Sequence, residues 1–267
     1  MITLASDFGS PYPAAMKGVI LSRTDAQLVD ISHDLPRQDP RAAGFWLRET
    51  VPYFPPAVHL AVVDPGVGTN RRAIAIRVGN HALVGPDNGL LRPVVRRVVE
   101  RHDTEPSISA YEIIVDNPAS TTFHGRDLFA PAAAAIHKVG VSRIETVEML
   151  SPISVESCVD LRFPEPTVEG RTVHGEVLVV DDFGNVITNV PGDVVAGIER
   201  ATVDDKSVPV VETFAAVSPG DRLLTVGSHG YVECDVNQGR GDERFGLGVG
   251  DPVRIAVDGP SDPPTLG

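Results

Sequence analysis

Apolar, β-rich runs alternate with helical patterns through the first half of this chain, and the alternation stops near residue 150. No other feature limits the fold as much. Met1 to Ser6 is a short apolar run that stops at Asp7-Phe8-Gly9. A helix pattern follows over Ala14 to Arg23, then a strand over Gln27 to Ile31 and a helix over Arg41 to Tyr53. Val58 to Val63 reads as a buried strand that ends at Asp64-Pro65-Gly66. Ala73 to Val78 and His81 to Val84 read as a hairpin turned by Gly79-Asn80. Leu90 to Glu100 reads as a helix with Asp87 or Asn88 as its N-cap. Tyr111 to Val115 is another strand, and Phe123 to Lys138 is an Ala-rich helix. This order predicts an α/β domain, with helices packed on a largely parallel sheet.

Beyond residue 150 the pattern is different. Pro164 and Pro166 mark an irregular connection, and short strands without a long helix follow it. The strand candidates are Gly175 to Val180, Val186 to Asn189, Ala201 to Val203, Arg222 to Thr225, Tyr231 to Val236 and Pro252 to Ala256. Short strands at this spacing predict a smaller all-β, barrel-like domain. The expected division is 1–157 for the α/β domain, 158–171 for a linker, 172–260 for the β domain and 261–267 for a loose tail.

Charge removes some partners. The 267 residues carry 36 acidic and 23 basic side chains, a formal charge of -13. That balance disfavours a nucleic-acid backbone or an anionic membrane as partner. Lysine occurs only at Lys17, Lys138 and Lys206. A high-salt (halophilic) cytosol and a GC-rich genome both account for that. No apolar run approaches the roughly 20 residues of a membrane span. The start has no basic segment followed by an apolar one, so no signal peptide and a cytoplasmic location are expected. Cys158 and Cys234 make neither a CxxC nor a disulfide framework.

Four segments could carry chemistry. Asp7 follows the first strand, where open α/β sheets bind ligands, and its carboxylate suits a ribose diol or a turn. Asp64-Pro65-Gly66-Val67-Gly68-Thr69-Asn70-Arg71-Arg72 lacks the third glycine of a dinucleotide fingerprint and the Lys-Ser/Thr end of a phosphate loop. It leaves a carboxylate and an arginine on one loop, facing a pocket or forming a surface ion pair. Thr122-Phe123-His124-Gly125-Arg126-Asp127 opens the Ala-rich helix, and His124 there can move a proton or cap and pack. Asp181-Asp182-Phe183-Gly184-Asn185 joins two strands, with Phe183 able to stack on a base or simply to pack. None of the eight histidines has metal-pair spacing, so no metal site is assigned.

Taken in order, these segments resemble the S-adenosylmethionine hydroxide adenosyltransferases, relatives of the fluorinase and chlorinase enzymes. The resemblance rests on Ser6-Asp7-Phe8-Gly9, Met16-Lys17-Gly18, Asp30-Ile31-Ser32-His33, Val63 to Thr69, Gly85 to Leu91, Thr122 to Asp127 and Phe183 to Asn189. It implies attack of water or hydroxide on the 5′ carbon of S-adenosylmethionine, giving adenosine and L-methionine, with no cofactor. The family's Asp–Arg–His set falls on Asp64, Arg71 and His124. Asp64 or His124 would be the base and Arg71 the cation. Asp7 would hold the ribose hydroxyls, with Gln38 and Asn88 also at the substrate. Phe183, Asn185 and Asn237 would contact adenine, and Asp181 and Ser228 the methionine end. The resemblance also implies a homotrimer with sites at subunit interfaces.

The alternatives are a halide-using adenosyltransferase, a non-catalytic S-adenosylmethionine or adenosine binder, and a metal-dependent hydrolase. Halogenating relatives replace the Asp and His and carry serine where Gly125 stands, which favours the hydrolase. Three departures are visible. The loop Ser10-Pro11-Tyr12-Pro13 lacks a second acidic residue, His229 stands where halogenating relatives have arginine, and Asn237 to Asp242 is an unusual closing segment.

Overall fold

The computed structural model describes residues 1–102, 104, 106–115 and 122–257. The chain divides into two compact units between Arg162 and Phe163. The tail expected over 261–267 lies outside the described residues, as do 258–260.

The first unit is built in the order β1 (Ile2–Ser6), α1 (Tyr12–Leu21), β2 (Leu28–Ser32), α2 (Pro40–Thr50), β3 (Val58–Val62), β4 (Ala73–Val78), β5 (His81–Pro86), α3 (Arg92–Glu100), β6 (Ile108–Ile113), α4 (Ala130–Val139) and β7 (Leu150–Ile153). The strands form one sheet in the order β2-β1-β3-β5-β4-β6-β7. β2, β1, β3 and β5 pair in parallel, and the remaining pairs are antiparallel. Five strands, β1, β2, β3, β5 and β6, therefore run one way, against β4 and β7. Apolar side chains cover both faces. Met16, Ile20, Phe129 and Ile136 pack with Leu4 and Leu60 on one side. Leu47, Val94 and Val98 pack with Ala5 and Val63 on the other. Burial on both faces is why β1 and β3 read as mainly apolar runs, broken by Thr3 in one and His59 in the other.

Local chemistry sets several boundaries. Asp39 caps α2 by accepting from the backbone N–H of Arg41 (2.9 Å) and Ala42 (3.0 Å). The expected cap of α3 is not formed: the residue preceding that helix is Leu91, which makes no side-chain cap bond. Asp87 is instead engaged by Arg72 and by the N–H of Val159, and Asn88 holds the turn before the helix. The Ala-rich helix begins with a π-helical turn, Gly125–Phe129, before α4. Such turns concentrate at functional sites.

The second unit contains β8 (Thr167–Glu169), β9 (Thr172–Val180), β10 (Val186–Pro191), β11 (Arg200–Val203), β12 (Lys206–Pro209), β13 (Arg222–Val226), β14 (Tyr231–Val236), α5 (Gly241–Phe245) and β15 (Pro252–Val257). Its sheet runs β12-β11-β15-β9-β10-β14-β13, with β8 on β9, and every strand pairing is antiparallel. A bridge from Val210 to Leu224 nearly closes it into a barrel around Val173, Val186, Leu224, Val232 and Ile255. The sequence reading did not resolve β8, β12 or α5. β8 is wholly exposed and β12 is short and ends in proline, so neither shows a buried alternation.

Candidate active site

Parallel strands deliver their carboxyl ends, and the residues just beyond them, to one edge of the first unit. Asp7 follows β1 and Asp64 follows β3. The loop after Asp64 is folded on itself. The Asp64 carbonyl accepts from the Val67 N–H (3.3 Å), and the Gly66 carbonyl accepts from the Thr69 hydroxyl (2.7 Å). Gly68 has φ +79°, a left-handed conformation that glycine adopts without strain. The loop thereby returns Arg71 onto Asp64.

The contact is bidentate. Arg71 Nε donates to Asp64 Oδ1 (2.9 Å), and Nη2 donates to Oδ2. The same Nη2 faces His124 Nδ1 at 2.6 Å. Arginine has only donors, so Nδ1 must be the accepting nitrogen. This assigns the neutral ring its proton on Nε2. Burial first, then the Arg71 charge, hold the His124 pKa below its ordinary value, with Asp64 and Asp127 opposing. The Arg71 guanidinium also lies 5.1 Å over the Phe129 ring, which begins α4's packing into the core.

Asp64 and His124 line a cleft of about 490 Å³ together with Phe8, Tyr12, Val62, Val67 and Phe123. Gly125 lies in the same wall. A Cβ there would come within 2.8 Å of Met16 Sδ, 3.0 Å of Phe8 and 3.2 Å of Phe123. Glycine at 125 is what lets these rings close in.

Asp7 and Gln38 also meet. The Gln38 N–H donates to Asp7 Oδ2 (2.8 Å), and Gln38 itself is held at φ +56°. Strained non-glycine backbone of this kind clusters at binding sites. Asn88 donates to the Val63 carbonyl (2.8 Å) and accepts from the Leu90 N–H (3.2 Å). Its side chain therefore fixes the backbone just ahead of Asp64.

In the second unit, Asp181 accepts from the N–H of Phe183 (2.9 Å) and Asn185 (2.8 Å), and from the Asn185 carboxamide (3.0 Å). Phe183 in this turn is 80% exposed. Ser228 sits at the tip of the β13–β14 turn, which Gly227 and Gly230 close. Asn237 donates to the Val217 carbonyl (2.7 Å).

The sequence reading missed three groups. Ser6, His33, Asp30 and Lys17 form a relay that supports the loop carrying Asp7: Ser6 Oγ to His33 Nδ1 is 2.8 Å and His33 Nε2 to Asp30 is 3.1 Å. The motifs containing these residues were visible, but not their meeting. Thr3, His59 and His81 form a buried chain across β1, β3 and β5. Glu233 and Asp235 are buried carboxyls on β14. Burial, then Asp181, push Glu233 up to about 7. Burial, then Glu233 and Asp181, push Asp235 up to about 8. Among the described residues, no group of three or more His, Cys, Asp or Glu side chains is placed to hold a metal ion. Among them too, no helix is long and apolar enough to cross a membrane.

Comparison with known proteins converges on one family. The SAM hydroxide adenosyltransferase N-terminal domain matches residues 2–147, and the C-terminal domain of the same family matches 175–254. The chain is 38% identical to an (R)-S-adenosyl-L-methionine hydrolase of Salinispora tropica, over 96% of this chain and 97% of that one. It is 42% identical to one from Thermus thermophilus, over 94% and 97%. An uncharacterized conserved protein from Thermotoga maritima superposes with a TM-score of 0.81 at 33% identity, covering 96% of this chain and 100% of that one. Both domains match in order and the relatives run nearly the full length, so the chain belongs to the SAM hydroxide adenosyltransferase family.

Proposed function

We propose that this protein hydrolyses S-adenosyl-L-methionine to adenosine and L-methionine. The observation that carries the reading is the Asp64–Arg71–His124 contact at the wall of the cleft. The leaving group is a neutral thioether departing from a sulfonium, so no acid has to protonate it. The difficult partner is water. Its oxygen attacks the 5′ carbon, the carbon–sulfur bond breaks, and the bond pair stays on sulfur.

The hydrogen bonds divide the roles. His124 Nδ1 is occupied by Arg71, which leaves Nε2–H as a donor that positions the water oxygen. Asp64 is then the base, because each carboxylate oxygen keeps a second lone pair beyond its bond to Arg71. Arg71 holds both partners and stabilises the hydroxide as it forms. In-line placement adds proximity. Asp7 and Gln38 are assigned to the ribose side, with Asn88 supporting Asp64. Asp181, Phe183, Asn185, Ser228 and Asn237 are assigned to adenine and the amino-acid end, in a homotrimer whose neighbouring subunits complete each site. No cofactor enters this scheme. Gly125 is closely surrounded by Met16, Phe8 and Phe123, so a side chain there requires Met16 to shift.

The relatives' name specifies the R configuration at sulfur, and the test includes it. Purified protein is incubated with each sulfonium epimer and the products are separated by chromatography. Adenosine and methionine in equal amounts, lost in His124→Ala, are expected. Saturable binding with no adenosine would contradict the reading. Light scattering tests the trimer separately.

A further inference from the structure

The cleft of the first unit holds more aromatic surface than water activation uses. Phe8, Tyr12 and Phe123 pair with centroids 6.3, 5.9 and 5.5 Å apart and interplanar angles of 69°, 76° and 82°. Each ring plane stands close to perpendicular to the other two, like three walls of a box corner. All three line the cleft that Asp64 and His124 line. Tyr12 is 56% exposed, a large ring kept in contact with solvent at this corner.

The charges nearby are already committed. Among the described lining residues the one carboxylate is Asp64, and both its oxygens take Arg71. Arg126 is paired with Asp127 at 2.6 and 2.7 Å, and its guanidinium carbon lies 5.2 Å from the Phe123 ring centre. One of these rings thus already attracts a cation. A positive centre entering the cleft meets three aromatic rings in place of an open carboxylate, and crossed rings are how proteins recognise onium groups.

We propose that Phe8, Tyr12 and Phe123 form a cation-selecting corner that takes the sulfonium of the substrate in preference to a neutral thioether. This rests on the substrate reading given above. It has a consequence for turnover. Once the carbon–sulfur bond pair has passed to sulfur, the product thioether is neutral and loses this attraction. The corner therefore binds substrate better than product without needing a carboxylate that would also pair with Arg71.

The test uses the full chain and two probes that are not hydrolysed. S-adenosylhomocysteine carries a neutral thioether, and sinefungin carries an ammonium-bearing carbon in place of the sulfonium. Inhibition constants are measured for the wild type, Tyr12→Phe, Tyr12→Leu and Phe8→Leu, with thermal melts to check folding. In the wild type the cationic probe binds more tightly. Tyr12→Phe keeps that ratio within about twofold, and Tyr12→Leu narrows it about five- to twentyfold. Phe8→Leu narrows it in the same direction, and gives a second reading should Tyr12→Leu melt early. An unchanged ratio in both leucine variants overturns the proposal, because the rings would then be apolar packing alone. Equal weakening of both probes overturns it in the same way. If neither probe binds the wild type and no adenosine forms, the substrate reading itself fails, and this inference fails with it.

Discussion

Arg71 joins the proposed catalytic set, because one guanidinium serves Asp64 twice and His124 once. Lysine offers a point charge without the fork. Arg71→Lys is therefore expected to lower kcat about 100-fold or more while changing KM only a few-fold, read by steady-state kinetics. Asp64→Asn removes the proposed base and is expected to cost about 10²- to 10⁴-fold in kcat, with substrate affinity measured by calorimetry nearly kept. Near-normal turnover in Asp64→Asn would rule that role out. The pH dependence of kcat has a sign as well. His124 must stay neutral to accept from Arg71, and its pKa is held below the ordinary value by burial and by that cation. Activity is thus retained as pH falls past about 6.5 and is lost only at lower pH. At Gly125 a methyl group meets Met16, Phe8 and Phe123. Gly125→Ala is expected to cost about 1–3 kcal/mol in a denaturation experiment and to disturb the aromatic corner.

At the scale of elements, the parallel strands do two jobs. Their carboxyl ends present Asp7 and Asp64, while inside the sheet Thr3 contacts His59 (2.8 Å) and His59 contacts His81 (2.9 Å). Burial, then His81, push His59 down to about 3. A histidine buried neutral binds fewer protons than its unfolded counterpart, so stability is lost as pH falls from about 6.5 towards 3. At pH 5 the loss from His59 alone is about 2 kcal/mol. His59→Gln should remove that part of the pH dependence in chemical denaturation at pH 5 and pH 7. An identical slope in both proteins would show that His59 is not the group responsible. The elements were largely legible in the sequence, since β1 and β3 are buried on both faces and read as apolar runs. The π-helical turn at Gly125 was not, because its composition matches the helix that follows. Nor was the cap of α3: Asp87 has the right type and place, but Arg72 and Val159 claim it through contacts distant in sequence. Asp64, Arg71 and His124 were legible as types on loops. Their meeting depends on the folding-back of the loop after Asp64, which spacing alone does not specify.

At the scale of the whole molecule, the buried titratable groups of the two units are expected to respond to pH with opposite signs. The first loses stability in acid through His59. The second carries Glu233 and Asp235, whose folded pKa values lie above their ordinary ones, so its stability falls as pH rises towards about 7 and 8. Neither oxygen of Asp235 has a hydrogen-bond partner among the described residues, so ionisation there is costly. Asp235→Asn is expected to stabilise the second unit at pH 8 and to matter little at pH 5. The single tryptophan, Trp46, lies in the first unit, so its fluorescence reports that unit while circular dichroism reports both. The two transitions should separate with pH in the wild type and draw together at pH 8 in Asp235→Asn. Attack by water at the 5′ carbon leaves an isotopic mark on the product. Chelator-treated protein is incubated with S-adenosylmethionine in oxygen-18 water, with and without halide, and the products are weighed by mass spectrometry. Adenosine carrying the heavy oxygen at its 5′ position, unaffected by chelator or halide, is expected. Unlabelled adenosine, a 5′-halogenated nucleoside or methylthioadenosine as the product would contradict it.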